Sequence, residues 1–370
     1  MEGDNTMSKT CVIIGAGQTG RGFLAPFIKE NGYKLTFIDI NKHLVEKLNN
    51  AGQYTIHYYD NEKPDLLIKD FQCYATNEDK SVLSLAEADV VLTAVGNDNI
   101  KDLYSLLDNA IKIRKKDSKL TIITCENGVN AKKPLIGLAA IISEACIFCT
   151  TLNKNSNSLD IYSQAYPDLP FDCEVAGINI QIHGLTPTQK YATLIERKIY
   201  TYNCLSACVA YVGAYKGYAV YGDAANDKDI SYVMANMLQP LNMAIAKTYD
   251  IPVEEQMVFS QYAVKKFQNL AIIDTIERNT RDTIRKLGPT ERMIAPLRIC
   301  LGNNLENKYL ELVIAAALWY GNKFDNLPEQ PLAMISRMED LPAITNRIYH
   351  IQEFFAQKDS VHTIIKKIEN

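Results

Sequence analysis

CVIIGAGQTGRGFLAPFIKENGYKLTFID, residues 11 to 39, decides the fold. Cys11 to Ile14 is a short apolar run, as a parallel strand buried on both faces requires. GAGQTGRG follows, Gly15 to Gly22, and Gly15, Gly17 and Gly20 fit GxGxxG. FLAPFIKENG reads as a helix closed by Gly32. KLTFID reads as a second strand ending at Asp39. Strand, glycine turn, helix, strand is the opening of a doubly wound α/β sheet.

The turn residues have separate physical tasks. Gly15 allows the tight bend, Gly17 lets backbone approach a pyrophosphate, and Gly20 lets helix and strand pack closely. Ala16, Gln18 and Thr19 complete the loop, and the helix N-terminus offers free N–H groups to phosphates. Asp39 stands 19 residues beyond Gly20, at a strand end. There it would accept hydrogen bonds from ribose hydroxyls and repel a 2′-phosphate, so NAD is favoured over NADP, with Lys42 a nearby opposing charge. ADVVLTAVG reads as a further strand whose end, Ala94, Val95 and Gly96, meets the cofactor. TIITCEN, ending at Asn127, is another. Ligands bind beyond the carboxyl ends of such strands, which puts Asn127 toward the nicotinamide; an asparagine forming a turn before Gly128 is the structural alternative.

At 370 residues and 47% hydrophobic, the chain is long enough for two cores. A formal net charge of -4 with no one-sign block gives no sign of nucleic-acid or membrane-surface binding. No apolar run approaches the roughly 18 residues of a membrane-spanning helix. MEGDNTMSKT is polar, so residues 1–9 read as a loose tail ahead of a cytoplasmic protein. Nine scattered cysteines suit reduced thiols, and the Cys146–Cys149 pair has no second pair or histidines to make a metal site. From Leu159 to Ile182 the pattern is β-like, read as an antiparallel extension of the sheet. Strand signals then fade. The predicted division is a Rossmann-type α/β domain over 10–185 and an all-α substrate domain over 186–370.

Thr186, Pro187 and Gln189 look like the capped start of a helix running to about Gly213. Along it, Tyr191, Leu194, Ile195, Tyr202, Leu205 and Val209 form an apolar stripe, and Lys198 sits within it. At about 100° per residue, Ser206 is about 80° and Asn203 about 140° round from Lys198. Lys198 either snorkels out of a groove or is desolvated; desolvation lowers an amine's pKa and makes it a usable general base.

These stretches together resemble the polyol-specific long-chain dehydrogenases, the mannitol dehydrogenase family, and most closely its polyol-phosphate branch. GAGQTGRGF is similar to that family's GAGxxGRGF turn, ADVVLTAVG to its ADLVTTAVG stretch, and CEN (Cys125 to Asn127) to its asparagine loop. ERKIYTYN carries the lysine helix, whose pattern is K, four residues, N, two residues, H. DTIRKL and ERMIAPL resemble later segments. The resemblance implies a metal-free, NAD-dependent enzyme acting as a monomer, its active site between the two domains. It implies Lys198 as base and Asn127 and Asn203 as donors to the reacting oxygen, with Ser206 where the family has histidine. Arg285 and Lys286, in a segment matching the family, would hold the far, phosphorylated end of the substrate; a solvated, salt-bridged helix face is the structural alternative. Two departures stand out: Ser206 itself, for which His183 is either a spatial substitute or, as is commoner, an exposed or structural histidine, and no Asp-Arg pair near Cys149 to Leu152. A sugar-acid oxidoreductase of the same family is the alternative enzyme; a dinucleotide-binding protein with little catalysis is the alternative outside enzymology.

Overall fold

The computed structural model describes residues 9–59, 63–155 and 157–370. The N-terminal stretch read as a loose tail lies outside the described residues, Lys9 excepted. The chain divides into two compact units, Met1–Ile195 and Glu196–Asn370.

The first unit is built on a six-stranded parallel sheet. Its strands are β1 (Thr10–Ile14), β2 (Lys34–Asp39), β5 (Phe71–Ala75), β6 (Val90–Thr93), β7 (Thr121–Thr124) and β8 (Ile141–Glu144), in the order β5-β2-β1-β6-β7-β8. The chain builds outward from β1 to β2 and β5, then returns to the other side of β1 as β6. That reversal is the switch point at which such sheets bind ligands. β1 alternates between two cores. Cys11 and Ile13 pack with Phe23, Phe37 and Leu92, whereas Val12 and Ile14 pack with Leu85, Val91 and Ile122. Burial on both faces is why the run is continuously apolar. Ile14 pairs with Ile38 and with Thr93, so Gly15, Ala94 and Cys125 leave the sheet at its carboxyl end, beside Asp39, the last residue of β2.

A second sheet, β4-β3-β10-β9, comprises β3 (Gln53–Tyr58), β4 (Leu66–Lys69), β9 (Thr151–Leu152) and β10 (Ile161–Ser163). The expected antiparallel extension takes a different form. β10 pairs antiparallel with β9, as expected, but parallel with β3, and β11 (Leu169–Asp172) pairs parallel with β12 (Leu185–Thr188). An antiparallel bridge, Ala145–Phe171, and hydrogen bonds from Cys146 N–H to the Pro170 carbonyl and from the Ser143 hydroxyl to the Asp172 carbonyl tie this segment to β8 and its end. The expected helix start is also corrected. Thr186 and Pro187 lie in β12 opposite Pro170 and Phe171, and the Thr186 hydroxyl donates to Asp168 rather than capping a helix. The helix that follows, α5, spans Tyr191–Lys198.

The second unit is helical. α6 (Cys204–Lys216) packs on α10 (Ile276–Thr280) and on α13 (Lys308–Phe324), whose residues Leu310 to Leu318 are all buried. Among the described residues, no helix is long and apolar enough to cross a membrane.

Candidate active site

At the carboxyl end of the sheet, Gly15 has φ +101° and donates its N–H to the Ile38 carbonyl at 2.7 Å. A Cβ on Gly15 would strike the Ala94 carbonyl, and one on Gly20 would strike the carbonyl of Gly15. Over Gly17 there is nothing within 4 Å, so backbone faces open space where a pyrophosphate would lie. Ala16 is buried, Thr19 half-buried and Gln18 exposed, and the chain is helical from Gln18 to Glu30, through a π-turn at Gly20–Leu24. Asp39 closes the loop: one carboxylate oxygen accepts from Ala16 N–H at 2.7 Å, the other from Asn41 N–H at 2.8 Å.

Two residues here escaped the sequence reading. Arg21 is buried; its Nε donates to the Ala16 carbonyl at 2.7 Å and its guanidinium lies over the Tyr54 ring. Glu126 is also buried. Its carboxylate accepts from Val95 N–H and Gly96 N–H, both at 2.9 Å, and from the Thr93 hydroxyl at 3.1 Å. Burial pushes its pKa above the ordinary carboxylate value, against the pull of those three donors. Glu126 thus fixes the loop at Val95 and Gly96, and the next residue, Asn127, is exposed. The only signal was its place beside the asparagine in CEN.

In the second unit, Lys198 is 4% exposed at the end of α5 (Tyr191–Lys198). The chain does not continue as plain α-helix. Ile199–Asn203 is a π-turn, with Cys204 N–H donating to the Ile199 carbonyl, five residues back. The turn absorbs one extra residue. Asn203 and Ser206, at i+5 and i+8 from Lys198, therefore take the places of i+4 and i+7 on a regular helix. At about 100° per α-residue they come to about 40° and 20° from Lys198, not 140° and 80°. The K-x₄-N-x₂-S spacing lines one face only because of this turn. Asn203 and Ser206 are half-buried.

Arg285 and Lys286 lie near a third cation, Arg292. Lys286 is buried, and its ammonium donates to the Asn279 carbonyl at 2.8 Å. Burial, then the charges of Arg292 and Arg285, lower its pKa to about 7. Arg285 pairs with Glu291 at 2.9 Å and Arg292 with the same carboxylate at 3.2 Å. Arg292 is close enough to α6 to act on Cys204 and Tyr211, and Lys286 Nζ lies 6.0 Å from the Tyr211 ring. Arg285 also lies 3.6 Å from Asp282, so with Lys286 protonated three cations against two acids leave one net positive charge near α6, the helix that follows Asn203. Arg278 and Arg281 are engaged elsewhere, with Asp274 at 2.6 Å and Glu277 at 3.7 Å. His183, in the first unit, is exposed with its backbone bonded on both sides to Asn31.

Residues 9–142 match the family model for the mannitol dehydrogenase Rossmann domain, and 190–368 the model for the mannitol dehydrogenase C-terminal domain. Among curated proteins, mannitol-1-phosphate 5-dehydrogenase of Caldanaerobacter subterraneus subsp. tengcongensis is 29% identical, over 84% of this chain and 86% of that protein. The protein of that name from Thermoanaerobacter pseudethanolicus is 27% identical over 96% of each. Among solved structures, Pseudomonas fluorescens mannitol 2-dehydrogenase, in a ternary complex with NAD and D-mannitol, superimposes with a TM-score of 0.80 at 14% identity, covering 98% of this chain and 94% of that one. With its sheet unit and its helical unit each matched by that family's models, the chain belongs to the mannitol dehydrogenase family.

Proposed function

We propose that this chain is an NAD-dependent dehydrogenase of a sugar-alcohol phosphate, interconverting a mannitol 1-phosphate-type polyol and its ketose phosphate, with Lys198 as general base. The observation that carries the reading is the alignment of Lys198, Asn203 and Ser206 by the π-turn. The glycine loop fits NAD: open space over Gly17, helical N–H groups from Gln18 onward, and an acid at Asp39. Gly15 to Gly20, Asp39 and Ala94 to Gly96 would hold the cofactor, which when bound supplies the hydride acceptor.

Neutral Lys198 takes the proton of the substrate's secondary hydroxyl. The Asn203 amide donates to the same oxygen as negative charge develops there, and Asn127 is assigned the second donation. Ser206 offers one hydroxyl, shorter than histidine and unable to become a cation. In the reductive direction the Lys198 ammonium returns the proton to the carbonyl oxygen. Arg285, Lys286 and Arg292 are assigned the phosphate; the names of the curated relatives and the excess positive charge support this. A uronate-derived carboxylate could meet the same cations, which keeps the sugar-acid alternative in view.

Oxidation of NADH, followed by its absorbance, separates these readings. Turnover with fructose 6-phosphate but not with fructose or fructuronate supports the proposal. Turnover with fructuronate alone moves the assignment to sugar acids, and tight NADH binding without turnover across polyol phosphates and sugar acids refutes an enzymatic role.

A further inference from the structure

A π-turn is an uncommon interruption of a helix, so something must hold it against relaxation to α. The holding contacts come from α9 (Val253–Gln268). Thr201, in the middle of the turn, is wholly buried, and so is Gln256 on α9. Gln256 Oε1 accepts from Arg197 Nε at 3.2 Å. Arginine only donates, so this contact fixes which way the amide points. Gln256 Nε2 is then left to donate to Thr201 Oγ1 at 2.9 Å and Asn242 Oδ1 at 3.3 Å. Asn242 donates in turn to the Ser260 hydroxyl at 3.0 Å, and Ser260 to the Met257 carbonyl at 2.9 Å. Arg197 also pairs with Glu255 at 2.9 Å and lies 4.8 Å over the Phe259 ring, which packs edge-on against the Tyr202 ring at 5.1 Å. The residue before Lys198 and Thr201 of the turn are thus hydrogen-bonded to one helix, and Tyr202 of the turn packs on it.

We propose that Gln256 is a positioning residue: through Thr201 it holds the π-turn open and so sets Asn203 and Ser206 on the face of Lys198. The inference rests on the reading of Lys198 as base. Without the anchor, relaxation to a continuous α-helix would carry Asn203 back to about 140° from Lys198. Each polar group in the chain from Arg197 to Met257 has a partner, and a fully satisfied buried network favours one arrangement over its near neighbours.

Thr201→Val keeps the shape and removes the acceptor; Thr201→Ser keeps the hydroxyl. The expected result is kcat lowered about 10²-fold in Thr201→Val, as for misplacement by about 1 Å. NADH affinity stays unchanged, and Thr201→Ser restores turnover. A merely structural role would lower thermal stability and leave kcat per folded molecule intact. Should Thr201→Val not fold, Gln256→Met is read by the same criteria. Wild-type turnover with an undiminished kcat in the variant overturns the positioning role and leaves the dehydrogenase reading standing. Absence of turnover in the wild type refutes the dehydrogenase reading instead, and the crystal structure of the variant then decides the inference. A regular α-turn over 199–203 supports it; an unchanged π-turn overturns it.

Discussion

Individual charges in this chain hold shape and chemistry together. Asp39 spends one lone pair on Ala16 and another on Asn41, and both oxygens keep capacity for a ribose. Asp39→Ala should raise KM for NAD by about 10-fold or more, the scale of a hydrogen bond to a charged group, and reduce the preference for NAD over NADP. The ratio of kcat/KM for the two cofactors measures this. Lys286 gives a pH signature. Its buried amine titrates near 7, whereas an unfolded lysine titrates near 10.5. Below pH 7 both states are charged and the folded state bears the full cost of burial. Between about pH 7 and 10.5 the unfolded state binds more protons, so stability rises with pH. Phosphate binding needs the charged form and runs the other way: KM for the phosphorylated substrate should climb above about pH 7, and Lys286→Arg should flatten the climb. Asp39 and Lys198 were legible in the sequence because each sits at a telling place in a local pattern. Glu126, Arg292 and Gln256 were not, because their roles come from bonds to residues distant in the chain or from the company of other charges.

Among elements, the glycine loop and the π-turn divide what local sequence can and cannot disclose. The loop was readable because each glycine answers a steric demand that no other residue meets. Gly17→Ala and Gly20→Ala should behave differently. A methyl on Gly17 touches nothing within 4 Å, so the protein should keep its stability and lose NADH affinity. A methyl on Gly20 meets the Gly15 carbonyl, so it should lose affinity and also about 1–3 kcal/mol of stability. Denaturant midpoints and NADH fluorescence titrations distinguish the two. The π-turn left no mark in composition, since 191–216 reads as one amphipathic helix. Its single trace was the distance of five residues from Lys198 to Asn203, which does not suit the α period. At β12 the capping signals of Thr186 and Gln189 were outweighed by pairing with β11, a contact local rules do not see.

For the molecule as a whole, the composition change near residue 185 suggests a boundary there, whereas the two compact units are Met1–Ile195 and Glu196–Asn370. The difference, 186–195, is β12 with the first turn of α5, packed with the sheet unit. If that unit carries the cofactor, NADH at 100 times its Kd should stabilise it by about 2.7 kcal/mol. Calorimetry should then show an unfolding transition that moves upward with NADH concentration; a transition indifferent to NADH would contradict dinucleotide binding.

The most direct test of the whole account is Lys198→Ala, with kcat for a polyol phosphate and the NADH Kd measured on the same preparation. A proton acceptor at that position predicts kcat lower by about 10²–10⁴-fold with the Kd unchanged. Turnover equal to that of the unaltered protein would contradict it.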